Sequence, residues 1–488
     1  MENQSESREK IDVNVKVLIH AAIMCAFMFG FKFVPPIGTI TPYGMAVLGV
    51  FLGLIYGWSF VGLLVPSLIG LFGLSFAGYG TVEKVALAMI NNSTVFMMLV
   101  GSLAFMALMQ SKAADWLMAK IISSPIAKKS PMYAVMIILA ATLLINSLGG
   151  NMIFYFGIFP IMVATVKKCG YKVGDKFSVM FLLGFMTCIQ LGMCFRPFIG
   201  WGLMTVGTMM QLTQTAVSYG AWMIVMAILF VLFLITYPLL MKAMGCDFDK
   251  LANVDIVEAF GVDPDAKMNL TQKIVLTAMA IFLIVVIGGS VLGTKLGPIY
   301  TYYTSISVAG MMVLFWIAMT IIKVNEKPML NLREASAMFG WDMLFLVAIA
   351  LLISSVLTSA ETGISAWLGA VVGPIFAGKS PVVFLIVLAV VTLFLTNVAN
   401  NIAVCYLMMN ITASMYLNGM PIDILAASMI ISTMAVIAFL TPASSMPGAM
   451  LHACDALTPK AMYQYTPIFL VYFCVLATAV FVVGGLLF

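Results

Sequence analysis

The chain has 488 residues, of which 63% are hydrophobic and only 9% charged, and its mean hydropathy is +1.12. Soluble domains are roughly 45–50% apolar and about one quarter charged, so this composition excludes a soluble globular protein and points to a polytopic membrane protein. The net charge of +5 is modest, and the lysines gather in short loops, which reads as membrane topology and not as a nucleic-acid partner.

Residues 1–16 are polar and lack the apolar core and small-residue cleavage site of a signal peptide, so they read as a short cytosolic tail. A span needs roughly 20 apolar residues. In the first half, 17–245, single spans are predicted at 17–34, 43–57, 60–79 and 92–111, with another at 219–241. Between them lie two longer apolar stretches, 131–166 and 177–216, each interrupted by polar, Gly or Pro residues. The hydrophilic segment 246–271 reads as a cytosolic linker.

The second half, 272–488, repeats the plan: spans at 272–294, 304–323, 342–359 and 466–488, and interrupted stretches at 381–417 and 424–456. A second linker at 324–341 precedes its last third. Interrupted segments at matching places in two halves are a sequence pointer to a transporter binding site.

The first interrupted stretch contains 145-INSLGGNMIFYF-156, and its counterpart contains 395-LTNVANNIAVCY-406. Lys112, Lys120, Lys128 and Lys129 flank the first on one side, and Lys167, Lys168, Lys172 and Lys176 on the other. Both its ends therefore face the cytoplasm, so it is expected to enter and return as a re-entrant hairpin. The counterpart is flanked by Lys379 alone and by the uncharged 417-LNGMP-421, so it is expected to open outward, in an inverted repeat. Irregular backbone at membrane depth survives only where it is buried in protein or lines an aqueous cavity. Exposed carbonyls with Asn and Thr oxygens suit a small hard cation, and exposed N–H groups at a helix start suit a carboxylate.

Other residue types carry less. The eight cysteines show no CxxC spacing and read as small apolar residues in helices. Lys32 reads as interfacial, and Asp115 and Glu361 as solvated charges on amphipathic segments. His452 and Asp455 are either surface groups or a proton-linked pair. An integral membrane enzyme would need a cluster of His, Asp, Glu or Cys at membrane depth, which the chain scarcely offers, so no enzymatic activity is expected.

On these stretches the chain resembles the divalent anion/sodium symporter family of elevator-type carriers, which has paired Ser-Asn-Thr motifs at two hairpin tips. Counting back from Pro160-Ile161 places the first motif at Gly150, Asn151 and Met152, and counting back from Asn410-Ile411 places the second at Asn400, Asn401 and Ile402. The family's upstream polar residue falls on Asn146 and Thr396. The stretches 177–201, 331–353 and 427–450 are similar to the family's flanking helices and broken segments. Both threonines are replaced, by Met152 and Ile402, and Arg196 stands in 194-CFRPFIG-200 where the family has a Gly/Thr/Pro loop.

The resemblance implies an all-α fold with about 11 spans plus two re-entrant hairpins, assembled as a homodimer in the cell's inner membrane. It also implies elevator-type symport of an organic anion, foremost a di- or tricarboxylate, coupled to Na⁺. Asn146, Gly150, Asn151 and Gly200 would line one Na⁺ site, and Thr396, Asn400, Asn401 and Thr441 the other. Gly150, Asn151, Arg196, Asn400, Asn401 and Pro442 would hold the substrate. A buried Arg in a span marks function by default; Arg196 is expected either to bind the anion or to supply a fixed charge in place of one sodium. That second role belongs to a proton-coupled or Na⁺-independent exchanger or exporter.

Overall fold

The computed structural model describes residues 14–149, 154–253, 256–259, 263, 265–337, 339–442 and 444–488. Regular structure there is helical apart from a two-residue ladder joining Lys323–Val324 to Lys327–Pro328. Among the described residues ten helices are long and apolar enough to cross a membrane, or up to eleven if the bent pair Ile364–Phe376 and Pro381–Thr396 is one span. The chain is an all-α, multi-pass membrane protein.

The single spans form where apolar runs begin with good caps. Pro42–Phe60 starts behind Thr41, whose hydroxyl accepts the Gly44 N–H, and Leu270–Leu292 starts with a reciprocal capping box between Asn269 and Gln272. The stretch 60–79 holds only a 14-residue helix, Leu64–Ala77, about 21 Å long. Gly62 (φ +136°) and Gly78 (φ +115°) stop it at its two ends in backbone conformations that a side chain disfavours.

Three of the four interrupted stretches hold two helices each; the first holds two with a π-helical turn, Phe154–Ile158, leading into the second. The first helix pair is Pro131–Leu148 with Phe159–Lys168, the second Pro381–Thr396 with Asn401–Leu417. The first broken helix is Lys176–Cys194 with Gly200–Thr213, the second Ile424–Val436 with Met446–Ala453. The leading arm of each pair packs along the leading half of the broken helix that follows it. Lys176–Cys194 is 94% buried and forms the centre of the bundle, whereas Val15–Phe33 and Pro298–Ile321 are 11% buried and line its outside.

The two pairs are based at opposite ends of the bundle, as the contacts of the Tyr219–Ala243 helix show. Beside its start, Thr215 donates to the Tyr416 hydroxyl (3.0 Å), near the base of the second pair. Beside its end, Lys176 donates to the Met244 carbonyl and Tyr171 to the Asp247 carbonyl (2.7 Å), close to where the first pair leaves at Lys168. Both ends of the second pair rest near the apolar helix Ile364–Phe376: Asn418 donates to the Ser365 carbonyl (2.9 Å), and Phe384 packs edge-on against Phe376.

Candidate functional site

The leading arm of the first pair turns a polar stripe inward. Thr142 and Ser147 donate to carbonyls four residues back, and Asn146 Nδ2 does the same to the Thr142 carbonyl (2.7 Å). Asn146 is fully buried and its Oδ1 has no partner. Buried amides are normally satisfied at both ends, so this oxygen is available to a donor or a cation. The arm stops at Gly149, whose φ of +119° lets its N–H cap the Ile145 and Asn146 carbonyls. Gly150 and Asn151 lie outside the described residues, as does Met152.

The first broken helix supplies the charge. Arg196 sits at its break, 7% exposed, and is the sole charged side chain among the buried described residues. Its Nε has no hydrogen-bond partner, and no carboxylate forms an ion pair with it among the described residues. The guanidinium lies 5.6 Å from the centre of the Phe105 ring, a cation–π arrangement. It also lies against the end of the first pair's arm: a Cβ built on Gly149 would stand 3.3 Å from Nη1. The second helix of the break can start this close because of two glycines. Gly200 takes φ +60°, and a Cβ on Gly202 would stand 2.2 Å from the Arg196 carbonyl oxygen.

The second half meets the same problem differently. Thr396, fully buried, donates to the Ala435 carbonyl (2.6 Å). Asn397 donates to the Leu393 and Ile437 carbonyls (2.8 and 2.9 Å) and accepts the N–H groups of Phe439 and Leu440 (2.9 and 2.8 Å). Thr441 donates to the Asn397 carbonyl (2.9 Å), and Ser444 and Ser445 both donate to Ala438. His452 Nε2 lies 3.1 Å from the Leu440 carbonyl. Asn400 caps its helix, accepting the N–H groups of Ile402 and Ala403, and Asn401 also accepts the Ile402 N–H. Pro442 is exposed at the turn. His452 and Asp455 do not pair; Asp455 forms an ion pair with Lys167 at the foot of the first pair.

The two breaks meet. Trp201 donates to the Ser432 carbonyl (3.0 Å), and Trp222 donates to the Cys194 carbonyl (3.0 Å). Gln190 accepts the Tyr155 hydroxyl at Oε1 and donates through Nε2 to the Val436 carbonyl (2.8 Å). One buried line of contacts thus runs from Tyr155 on the first pair, through Gln190 and the 436–437 backbone where the second broken helix ends its first half, to Asn397 on the second pair. Sequence reading passed over Asn397, Gln190 and Tyr155. Asn397 stands inside the amide cluster that was read, but motif counting selects its neighbours; Gln190 is a lone amide in an apolar run.

Wider hollows open on the surface. One of about 1400 Å³ is lined by Asn92, Ser218, Tyr219, Tyr303 and Ser307, and one of about 880 Å³ by Tyr43, Tyr79, Lys84 and Glu361. An open apolar groove of about 350 Å³ runs between the second pair and the last helix, with Asn397 on its wall.

A multi-pass membrane protein with one buried charge among the described residues, Arg196 at the first helix break and without an ion-pair partner among them, is what the fold and these side chains define. No known family model matches the chain, and no characterised protein matches it at a significant level.

Proposed function

We propose that the chain is a secondary active transporter of a small organic anion, in which the two helix-pair tips and the broken helices carry the substrate by alternating access. Arg196 carries this reading. A buried charge without a partner costs several kcal/mol, and Arg196 has that exposure and no counter-ion among the described residues. An anion arriving from outside supplies the missing partner, and the planar guanidinium suits a carboxylate in bidentate fashion.

The resemblance to divalent anion/sodium symporters adds the specific form: a homodimer with a moving transport unit, di- or tricarboxylate symport, and Na⁺ as the coupled ion. In that form the free Asn146 oxygen, with the Arg196–Gly200 loop, is part of the first cation site. Thr396, Asn400, Asn401 and Thr441 belong to the second.

A second reading, a Na⁺-independent or proton-coupled exchanger or exporter, is favoured by the internal hydrogen bonding of the second break. There the asparagine oxygens already accept N–H groups, and the carbonyls of 435–438 already accept side-chain donors. The test is a thermal-shift panel of purified protein with carboxylates of varied length, sulfate and phosphate, with and without Na⁺. Uptake into proteoliposomes accompanies it. Ligand bound to the folded state raises the midpoint by mass action. Stabilisation by C4-dicarboxylates only with Na⁺ supports symport; stabilisation without Na⁺ supports the second reading. No shift with any anion overturns both.

A further inference from the structure

We infer that the anion taken by Arg196 is an amphipathic monocarboxylate, one negative charge joined to an apolar or aromatic body, bound without Na⁺. The inference rests on the transporter reading above and narrows its substrate class.

Charge balance is the first ground. Arg196 is the one charged side chain among the buried described residues, so these supply a single positive side-chain charge at this depth. A monocarboxylate brings the occupied site to zero. A dicarboxylate leaves one negative charge there, and each uncompensated charge at membrane depth is costly. Neutralising it would take a cation, and of the buried side-chain oxygens left free among the described residues only Asn146 Oδ1 lies on the first pair's described arm, with Ser432 Oγ on the second broken helix.

The second ground is the wall beside the guanidinium. Arg196 faces the Phe105 ring at 5.6 Å. Phe105 is followed by Phe198 at 6.0 Å and by Phe282 at 6.2 Å, edge-on at 83°. Phe198 and Phe282 close the group at 5.4 Å, also edge-on. A guanidinium set against a phenyl ring offers an anion's carboxylate a partner and, at the exposed edge of Phe105, hydrocarbon contact; the space between Phe105 and Phe282 is closed to a water-sized group. A second carboxylate pointed at this wall would lose its water and gain no hydrogen bond. At the start of the second pair's outgoing helix, Ile402, where the resembling family has a threonine, is buried and apolar.

The experiment measures thermal midpoints of the full-length purified protein with acetate, hexanoate, phenylacetate, succinate and citrate at equal ionic strength, in Na⁺ and in choline buffers. Wild type, Arg196→Gln, Phe105→Leu and Phe105→Ala are compared. Hexanoate and phenylacetate are expected to shift the wild type at concentrations at least tenfold below acetate or succinate, equally in both buffers. Phe105→Ala is expected to remove the advantage over acetate while acetate binding persists. Phe105→Leu, which keeps an apolar contact, retains the hexanoate advantage and controls for folding.

Preference of the wild type for succinate or citrate with Na⁺, lost in Arg196→Gln, overturns this inference and leaves the anion-carrier reading standing. Anion shifts that persist unchanged in Arg196→Gln overturn the carrier reading's use of Arg196 as well.

Discussion

Asn397 Oδ1 accepts the N–H of Phe439 at 2.9 Å, joining the end of one half of a helix pair to the unwound middle of the second broken helix. The same amide serves Leu440 and Ile437, so one side chain replaces the intrahelical bonds that the break removes. Replacing Asn397 with Ala leaves two N–H groups and two carbonyls without these partners in a buried place. Each orphaned buried group costs about 1–3 kcal/mol, so the Asn397→Ala protein is expected to unfold on the order of 3 kcal/mol more easily. A midpoint within a degree of wild type in detergent would show that water or backbone movement takes over the clasp.

Arg196 is expected to give the opposite sign. Its charge is buried and has no ion-pair partner among the described residues, and replacing buried ionic groups with apolar residues of similar volume often stabilises by about 1–4 kcal/mol. Arg196→Met should therefore raise the ligand-free midpoint while abolishing every anion-induced shift. A variant that is both less stable and still anion-responsive would place the function of Arg196 elsewhere.

Gln190 is placed to couple the two pairs, since its amide holds Tyr155 at one end and the Val436 carbonyl at the other. Residues in one hydrogen-bond network couple by about 0.5–3 kcal/mol. The double variant Tyr155→Phe with Gln190→Leu should accordingly lose clearly less stability than the sum of its single variants. Strict additivity of the three midpoints would mean that the line of contacts carries no coupling.

These residues also mark what could be read from the sequence. The breaks were legible because Gly, Pro and Asn inside apolar runs contradict a continuous span, and Arg196 because no apolar stretch holds a charge without cause. The partner of each group was not legible. Asn397 reaches a backbone about 40 positions away, and nothing local separates it from Asn400, which merely caps its own helix. Phe105 reads as one more apolar residue of a span until the fold sets it against a guanidinium. His452 and Asp455 look like a pair three residues apart, yet one turns to the Leu440 carbonyl and the other to Lys167.

The Lys167–Asp455 pair is solvent-exposed, with 44% and 70% of the two side chains accessible. Exposed pairs contribute at most about 1 kcal/mol and weaken with salt. Asp455→Asn should therefore leave stability within about 1 kcal/mol of wild type, and the small difference should vanish at 1 M salt. A loss that persists at high salt would show the pair to be a structural link between the first helix pair and the second broken helix.

Two glycines separate backbone strain from close packing. Gly149 takes φ +119°, and the nearest neighbour of an added Cβ is the Arg196 guanidinium at 3.3 Å, a side chain that can yield. Gly149→Ala therefore incurs mainly backbone strain, roughly 1–2 kcal/mol. Gly192 is different. An added Cβ there would stand 2.6 Å from Asn146 Cβ and 2.8 Å from both the Leu143 carbonyl oxygen and the Ser147 nitrogen. Backbone atoms cannot rotate away, so Gly192→Ala must push the first pair's arm off the central helix, displacing the Asn146 oxygen and the seat of Arg196 together. Gly192→Ala is expected to lose anion-induced stabilisation entirely, whereas Gly149→Ala keeps it at a lowered midpoint. Equal anion response in the two variants would show that the arm moves without disturbing the site, and that the approach of these two helices does not set its geometry.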